Sequence, residues 1–186
     1  MVVDFQRNVS LPSPIILCDS PVTTVDSFRF LGSIITQDLK WGLNISSITK
    51  KAQQRLFFLR QLKKFNLPKT MMVHFYTAIM ESILCSSITV WYAAATAKDK
   101  GRLQRVIRSA ERVIGCNLPS LQDLFASRTL RRAKKMVADP SHPGQKLFLS
   151  LPSGRRLRSI RTKTSRHRNT FFTPAVGFIN QVHVPH

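Results

Sequence analysis

Seven cations crowd the stretch between residues 155 and 168: Arg155, Arg156, Arg158, Arg161, Lys163, Arg166 and Arg168, within LPSGRRLRSIRTKTSRHRNTFF, residues 151–172. No acid accompanies them, and none follows Asp139. Arginine can hold a phosphate through two parallel N–H donors, while lysine acts as a point charge. The chemistry on offer is the binding of a polyanion, and nucleic acid is the commonest one. Such binding releases counterions, so its affinity should fall steeply with salt. A solvated tail, a localisation signal or adhesion to anionic lipid would use the same residues differently. Phe171 and Phe172 follow directly. They could stack on bases or anchor the tail to the rest of the chain.

A second patch lies in RLQRVIRSAERV, where Arg102, Arg105, Arg108 and Arg112 recur every three or four residues. That spacing puts them on one helical face, and Glu111 offsets little of the charge. The RRAKK run adds Arg131, Arg132, Lys134 and Lys135. Lys50, Lys51, Arg60, Lys63 and Lys64 add more within residues 47–65. For any one helix, a solvated cationic face is the plain reading. Three successive helices with the same bias weaken it.

Catalytic arrangements are scarce. The acids are Asp4, Asp19, Asp26, Asp38, Glu81, Asp99, Glu111, Asp123 and Asp139, and no DxD, DD or HExxH occurs. Two-metal phosphoryl transfer needs at least two convergent carboxylates. No glycine-rich phosphate loop is present. His74 sits in an apolar helical window and reads as a packed core residue. His142 lies in a Pro-Gly loop, His167 in the basic tail, and His183 and His186 at the C-terminal end. No cofactor or metal is implied, and the expectation is a protein that is not an enzyme.

The elements that must position these cations follow from composition. The chain has 186 residues, which suits one domain or a small domain with an appendage. With hydrophobic residues at 43%, a modest core is possible. Lys and Arg outnumber Asp and Glu 29 to 9, giving +20 and pointing to an anionic partner. Cys18, Cys85 and Cys116 are odd in number and far apart, so reduced intracellular thiols, nuclear or cytoplasmic, are expected. MVVDFQRNVSLPSPIIL is a poor secretory signal. The longest uncharged stretch, residues 82–97, falls short of the roughly 20 residues of a membrane span. It reads as a buried helix.

Residues 1–46 hold three cations and four anions, whereas 47–186 hold 26 and five. The first part shows short apolar runs, MVVDF and VDSFRFLGSII, broken by Pro12, Pro14, Pro21 and Gly32. They predict strands and turns. As a strand, FRFLG would aim Phe28, Phe30 and Gly32 to one side, and Arg29 and Leu31 to the other. Four helical windows follow. Residues 47–65 carry an apolar stripe of Ile48, Ala52, Leu56, Leu59 and Leu62. Pro68 precedes a long window, 69–95, that is apolar nearly all round. Residues 98–114 repeat the amphipathic pattern, and Gly115 is placed to stop it. Ser120 with Asp123 marks a further helix start, and DPSHPG ends that helix near Asp139. The expected fold is mainly α: a small N-terminal β element over 1–46, a four-helix bundle over 47–139, and a basic tail over 140–186 with too few apolar residues to order itself.

The order MVVDF, VDSFRFLGSIITQDLKW, KKAQQRLFFLRQLKKF, ESILCSSITVWY, LQRVIRSAERVIG, LRRAKKMVADPSHPGQKLF and LPSGRRLRSIRTKTSRHRNTFF resembles the region downstream of the catalytic core in reverse transcriptases of non-LTR (LINE-type) retrotransposons. The resemblance runs over roughly residues 1–180. It implies that Phe28, Arg29, Phe30, Leu31 and Gly32 form a primer-grip-like hairpin after a last palm strand, MVVDF. It implies a helical thumb over 47–139 and a basic region that contacts RNA or DNA. The paired aspartates and the endonuclease of that family lie upstream of the matching region. The expectation is therefore a fragment that lacks the palm, with no polymerase or nuclease activity and no base specificity. A short helical segment is also similar to the one named after the N-terminus of alkylated-DNA repair protein homologue 8, of a dioxygenase and tRNA methyltransferase family. The chain has neither an HxD…H iron triad on a strand-rich scaffold nor a glycine-rich cofactor loop, so that chemistry is not expected of it.

Overall fold

The computed structural model describes residues 15–182. The expected strand MVVDF, the breakers Pro12 and Pro14, and His183 and His186 lie outside the described residues. The chain is mainly helical, with a small β element at its N-terminal side. Two antiparallel hairpins come first: β1 (Ile16–Leu17) with β2 (Ser20–Pro21), and β3 (Ser27–Phe30) with β4 (Ser33–Thr36). Each is closed by two residues with positive φ, Cys18–Asp19 and Leu31–Gly32. That is the mark of a type I′ turn, whose twist matches paired strands. The strand in FRFLG therefore stops at Phe30, and Leu31 and Gly32 turn the chain instead of continuing the alternation.

The second hairpin is tied to α1 (Gly42–Lys64), where the Ile34 amide donates to Asn44 Oδ1 at 3.0 Å. That bond satisfies the Oδ1 of buried Asn44, and α1 begins five residues before the predicted window of 47–65. The long apolar window is not one helix. It runs as α2 (Lys69–Phe75), a π-helical turn (Tyr76–Glu81), α3 (Ser82–Leu84) and α4 (Ile88–Trp91). Ser87 adopts φ 50, a left-handed conformation that ends α-helical continuity. The Ser86 carbonyl freed by the break accepts a bond from the Trp91 indole at 2.7 Å. His74 is exposed and is not the core residue expected.

The remaining helices start and stop where their caps dictate. Thr96 caps α5 (Ala97–Ile114) by accepting from the Asp99 amide at 3.1 Å. Gly115, at φ 77, ends it with its amide donating to the Glu111 carbonyl. Ser120 caps α6 (Leu121–Ala138) through the Asp123 amide at 3.1 Å. Such a cap stabilises a helix by about 1 kcal/mol. The principal core joins α1, α2, the π turn, α3, α4, α5 and the start of α6, with Leu59, Tyr76, Met80, Trp91, Leu103 and Ile107 fully enclosed. No helix of the described residues is long and apolar enough to cross a membrane.

The tail, expected to lack order, carries α7 (Ser165–Arg168) and α8 (Phe172–Val182). The bundle thus extends beyond four helices. Ala175, Val176 and Ile179 of α8 close a second core with Ala133 of α6 and Phe148. Phe171 and Phe172 pack against that core, which makes them anchors. Sparse apolar residues suffice because a finished helix, α6, supplies the opposing face.

Two outcomes test this packing. Leu59→Ala should lower unfolding free energy by about 2–5 kcal/mol in urea titration, the usual cost of emptying an enclosed leucine site. Burial also pushes the Cys85 thiol up from 9.0 to about 11, with Arg128 opposing and Glu81 reinforcing. Burial likewise raises the phenols of Tyr76 and Tyr92. These protons are held more tightly in the folded chain. Stability should therefore be full below the ordinary thiol range and decline as pH climbs towards 11. Urea midpoints at pH 7.5 and 10.5 should show that decline, and Cys85→Ser should make it smaller.

Candidate nucleic-acid interface

The apolar faces of α1 and α5 meet in the principal core, which leaves their polar flanks facing each other across an open groove of about 510 Å³. Arg60 of α1 and Arg102 and Arg105 of α5 line it, with Thr49, Gln53 and Ser109. Asp99 draws on Arg102 at 3.5 Å, a long contact on the helix surface. Arg108 and Arg112 are exposed further round α5 and line neither this groove nor the second one. The predicted α5 face is thus split, with half of it turned towards α1.

The second groove, of similar size, runs between α6 and the break before α4. Arg128, Arg131, Arg132 and Lys135 line one side, and Ser87 and Thr89 stand opposite. Arg128 was missed by sequence reasoning, although the spacing 128, 131, 132 and 135 places all four on one helical face. It pairs with Glu81 at 3.0 Å, which joins α6 to the π turn. Arg132 also lies 5.7 Å from the centre of the Phe171 ring, a cation–π contact that links the α6 cations to the tail. Lys134 is exposed outside the groove.

Arg155, Arg156 and Arg158 sit on a tight reversal of the chain. Ser150 and Leu157 form a β-bridge, and Gly154, at φ 68, makes the bend. The Leu151 amide donates to the Arg156 carbonyl at 2.8 Å, and the Arg158 amide to Leu149. Asn180 of α8 clamps the reversal from beneath: its Oδ1 accepts from the Leu157 amide at 2.8 Å, and its Nδ2 donates to the Leu157 carbonyl at 3.0 Å. The three arginines are exposed above that clamp, as are Arg161, Lys163, Arg166 and Arg168 further along. Arg166 donates to the Asp38 carbonyl at 2.8 Å, which folds the tail back against the turn before α1. In that turn the Lys40 backbone N–H, followed by the Thr36 hydroxyl and the Lys40 ammonium, holds the Asp38 carboxyl well below the usual carboxylate range.

Phe28, Arg29, Phe30, Leu31 and Gly32 lie together on the second hairpin and are exposed, Leu31 to 84%. The Ser33 hydroxyl, opposite Phe30, reaches the Ser87 hydroxyl at 3.2 Å and so sets this hairpin at the rim of the α6 groove. Among the described residues no group of three or more His, Cys, Asp or Glu side chains is placed to hold a metal ion.

One stretch is similar to a known family. Residues 41–82 match the model described as the N-terminal part of alkylated DNA repair protein alkB homolog 8. The match covers α1, α2, the π turn and the first residue of α3, and leaves out α5, α6 and the tail. No curated protein and no solved structure matches the chain.

Asn180→Ala tests how the tail arginines are positioned. It removes both clamp bonds and leaves the Leu157 peptide unpaired, a loss of about 1–3 kcal/mol. Limited trypsin digestion should cut after Arg155, Arg156 or Arg158 several times faster than in the parent chain. Cleavage within α1 and α5 should be unchanged.

Proposed function

We propose that this chain binds RNA or DNA through the phosphate backbone without catalysing a reaction on it. In this reading it is the thumb-and-tail portion of a LINE-type reverse transcriptase. The observation that carries the proposal is the idle charge. Among the described residues the ion pairs engage Lys40, Arg102 and Arg128. Arg105, Arg108, Arg112, Arg131, Arg155, Arg156 and Arg158 stand outside any ion pair, on ordered elements. An unneutralised guanidinium group on an ordered backbone offers phosphate a planar fork already shaped for it. Phosphate contacts carry no sequence information, so base specificity is not part of the proposal.

The match over residues 41–82 favours a second reading. In it, α1 to the start of α3 is a helical segment of the kind named after that repair protein, with no catalytic residues of its own; a protein-interaction module, or an inert translated fragment whose helices need a missing palm to cover them, is a separate alternative. That reading requires nothing of the tail arginines.

Binding to a labelled RNA–DNA hybrid across a salt series separates the two, with circular dichroism on the same sample. The first reading expects a helical protein whose log affinity falls linearly with log salt. Reversing Arg155, Arg156 and Arg158 to Glu should flatten that slope by about 2–3. No binding by a helical sample would leave only the second reading, and a slope that survives the reversal would move the phosphate contact from the tail to the α5 and α6 arginines. With magnesium, primer and template, the purified chain should extend no primer.

A further inference from the structure

The outer side of α1 carries aromatic rings among cations, and no acid lies anywhere in that helix. Phe57 and Phe58 are 55% and 48% exposed, with their ring centres 5.7 Å apart and nearly perpendicular. The Arg55 guanidinium lies 5.7 Å from the centre of the Phe58 ring. Lys50, Gln54, Phe57, Gln61 and Lys64 follow one another at steps of four, three, four and three, so they form a single line along the helix. Each lysine stands about 10 Å from Phe57 along the axis. Gln53 and Arg60, four residues before Phe57 and three after it, are its neighbours on the helix surface, and both line the α1–α5 groove. An aromatic ring therefore borders a groove that already holds Arg60, Arg102 and Arg105.

The geometry points to a site for single-stranded nucleic acid here, with phosphates in the α1–α5 groove and an unpaired base stacked on Phe57. It rests on the nucleic-acid reading above and adds a strand preference to it. Cations that track a backbone beside an aromatic platform are the arrangement that binds single strands irrespective of sequence. A partner helix fits less well. A coiled-coil seam needs apolar residues at both repeating positions, and Phe57 is the one apolar member of this line. A duplex fits less well too, because its bases are already stacked on each other.

The test uses the full chain and three probes: a labelled oligouridine of about twelve nucleotides, a blunt RNA duplex with the same number of phosphates, and inorganic polyphosphate. The parent chain should favour the single strand. Phe57→Ala should weaken oligouridine binding about tenfold, as the loss of one stacked base would, and leave duplex and polyphosphate binding unchanged. Phe57→Tyr should restore it. Arg105→Glu should weaken all three. If Phe57→Ala changes nothing, or weakens all three probes alike, the stacking site is overturned while phosphate binding stands. Failure to bind any of the probes overturns both.

Discussion

One helix has to serve two cores. The N-terminal half of α6 packs Leu121 and Phe125 into the principal core, and its C-terminal half offers Ala133 to the second. Phe125 sits at the join, its ring 5.0 Å from Tyr92 and 5.7 Å from Phe178. Three aromatic residues thus connect α4's end, α6 and α8 without a gap. The tail's order follows from this. α8 is short for an independent helix in water, and it holds because α6 has already been fixed by the larger core. The Asn180 clamp and the arginines above it depend in turn on α8.

The same arrangement explains where the charge lies. Helices that meet through small or branched apolar residues, such as Ala52, Ala110 and Ala133, approach closely and leave their flanks side by side. On α1, α5 and α6 those flanks are cationic. Packing of apolar faces therefore brings arginines from distant parts of the chain to the edges of shared grooves, against their mutual repulsion. That repulsion is tolerable at the surface, where water and salt screen it.

Much of this was legible in the sequence, and the failures have physical causes. Gly115 and Ser120 with Asp123 could be read because caps are local chemistry. The α5 and α6 cations could be read because helical spacing is local too. Division of the long apolar window could not, since it rests on the left-handed Ser87 and on an indole bond to the Ser86 carbonyl. His74 was misplaced because the buried line of this segment runs Met72, Tyr76, Met80 and Leu84, at steps of four, and His74 lies off it. The tail was misread because charge density hid a few apolar residues whose value depends on α6. Arg128 stands outside the RRAKK run in sequence, whereas the helix groups 128 with 131, 132 and 135. The family match covers α1 to the start of α3 and is silent on the tail.

The π turn has one more consequence. A turn closed over five residues instead of four holds one residue more than an α-helix would at the same place. It works as a phase shifter between α2 and α3. Glu81, at its end, pairs with Arg128 at 3.0 Å. Loss of a single residue there would leave plain α-helix with the same side facing α6, whereas an α-helix that kept the residue would turn everything beyond it by about 100°. A chain with the extra residue and one without it would thus differ by one letter and still present the same side of this helix to α6.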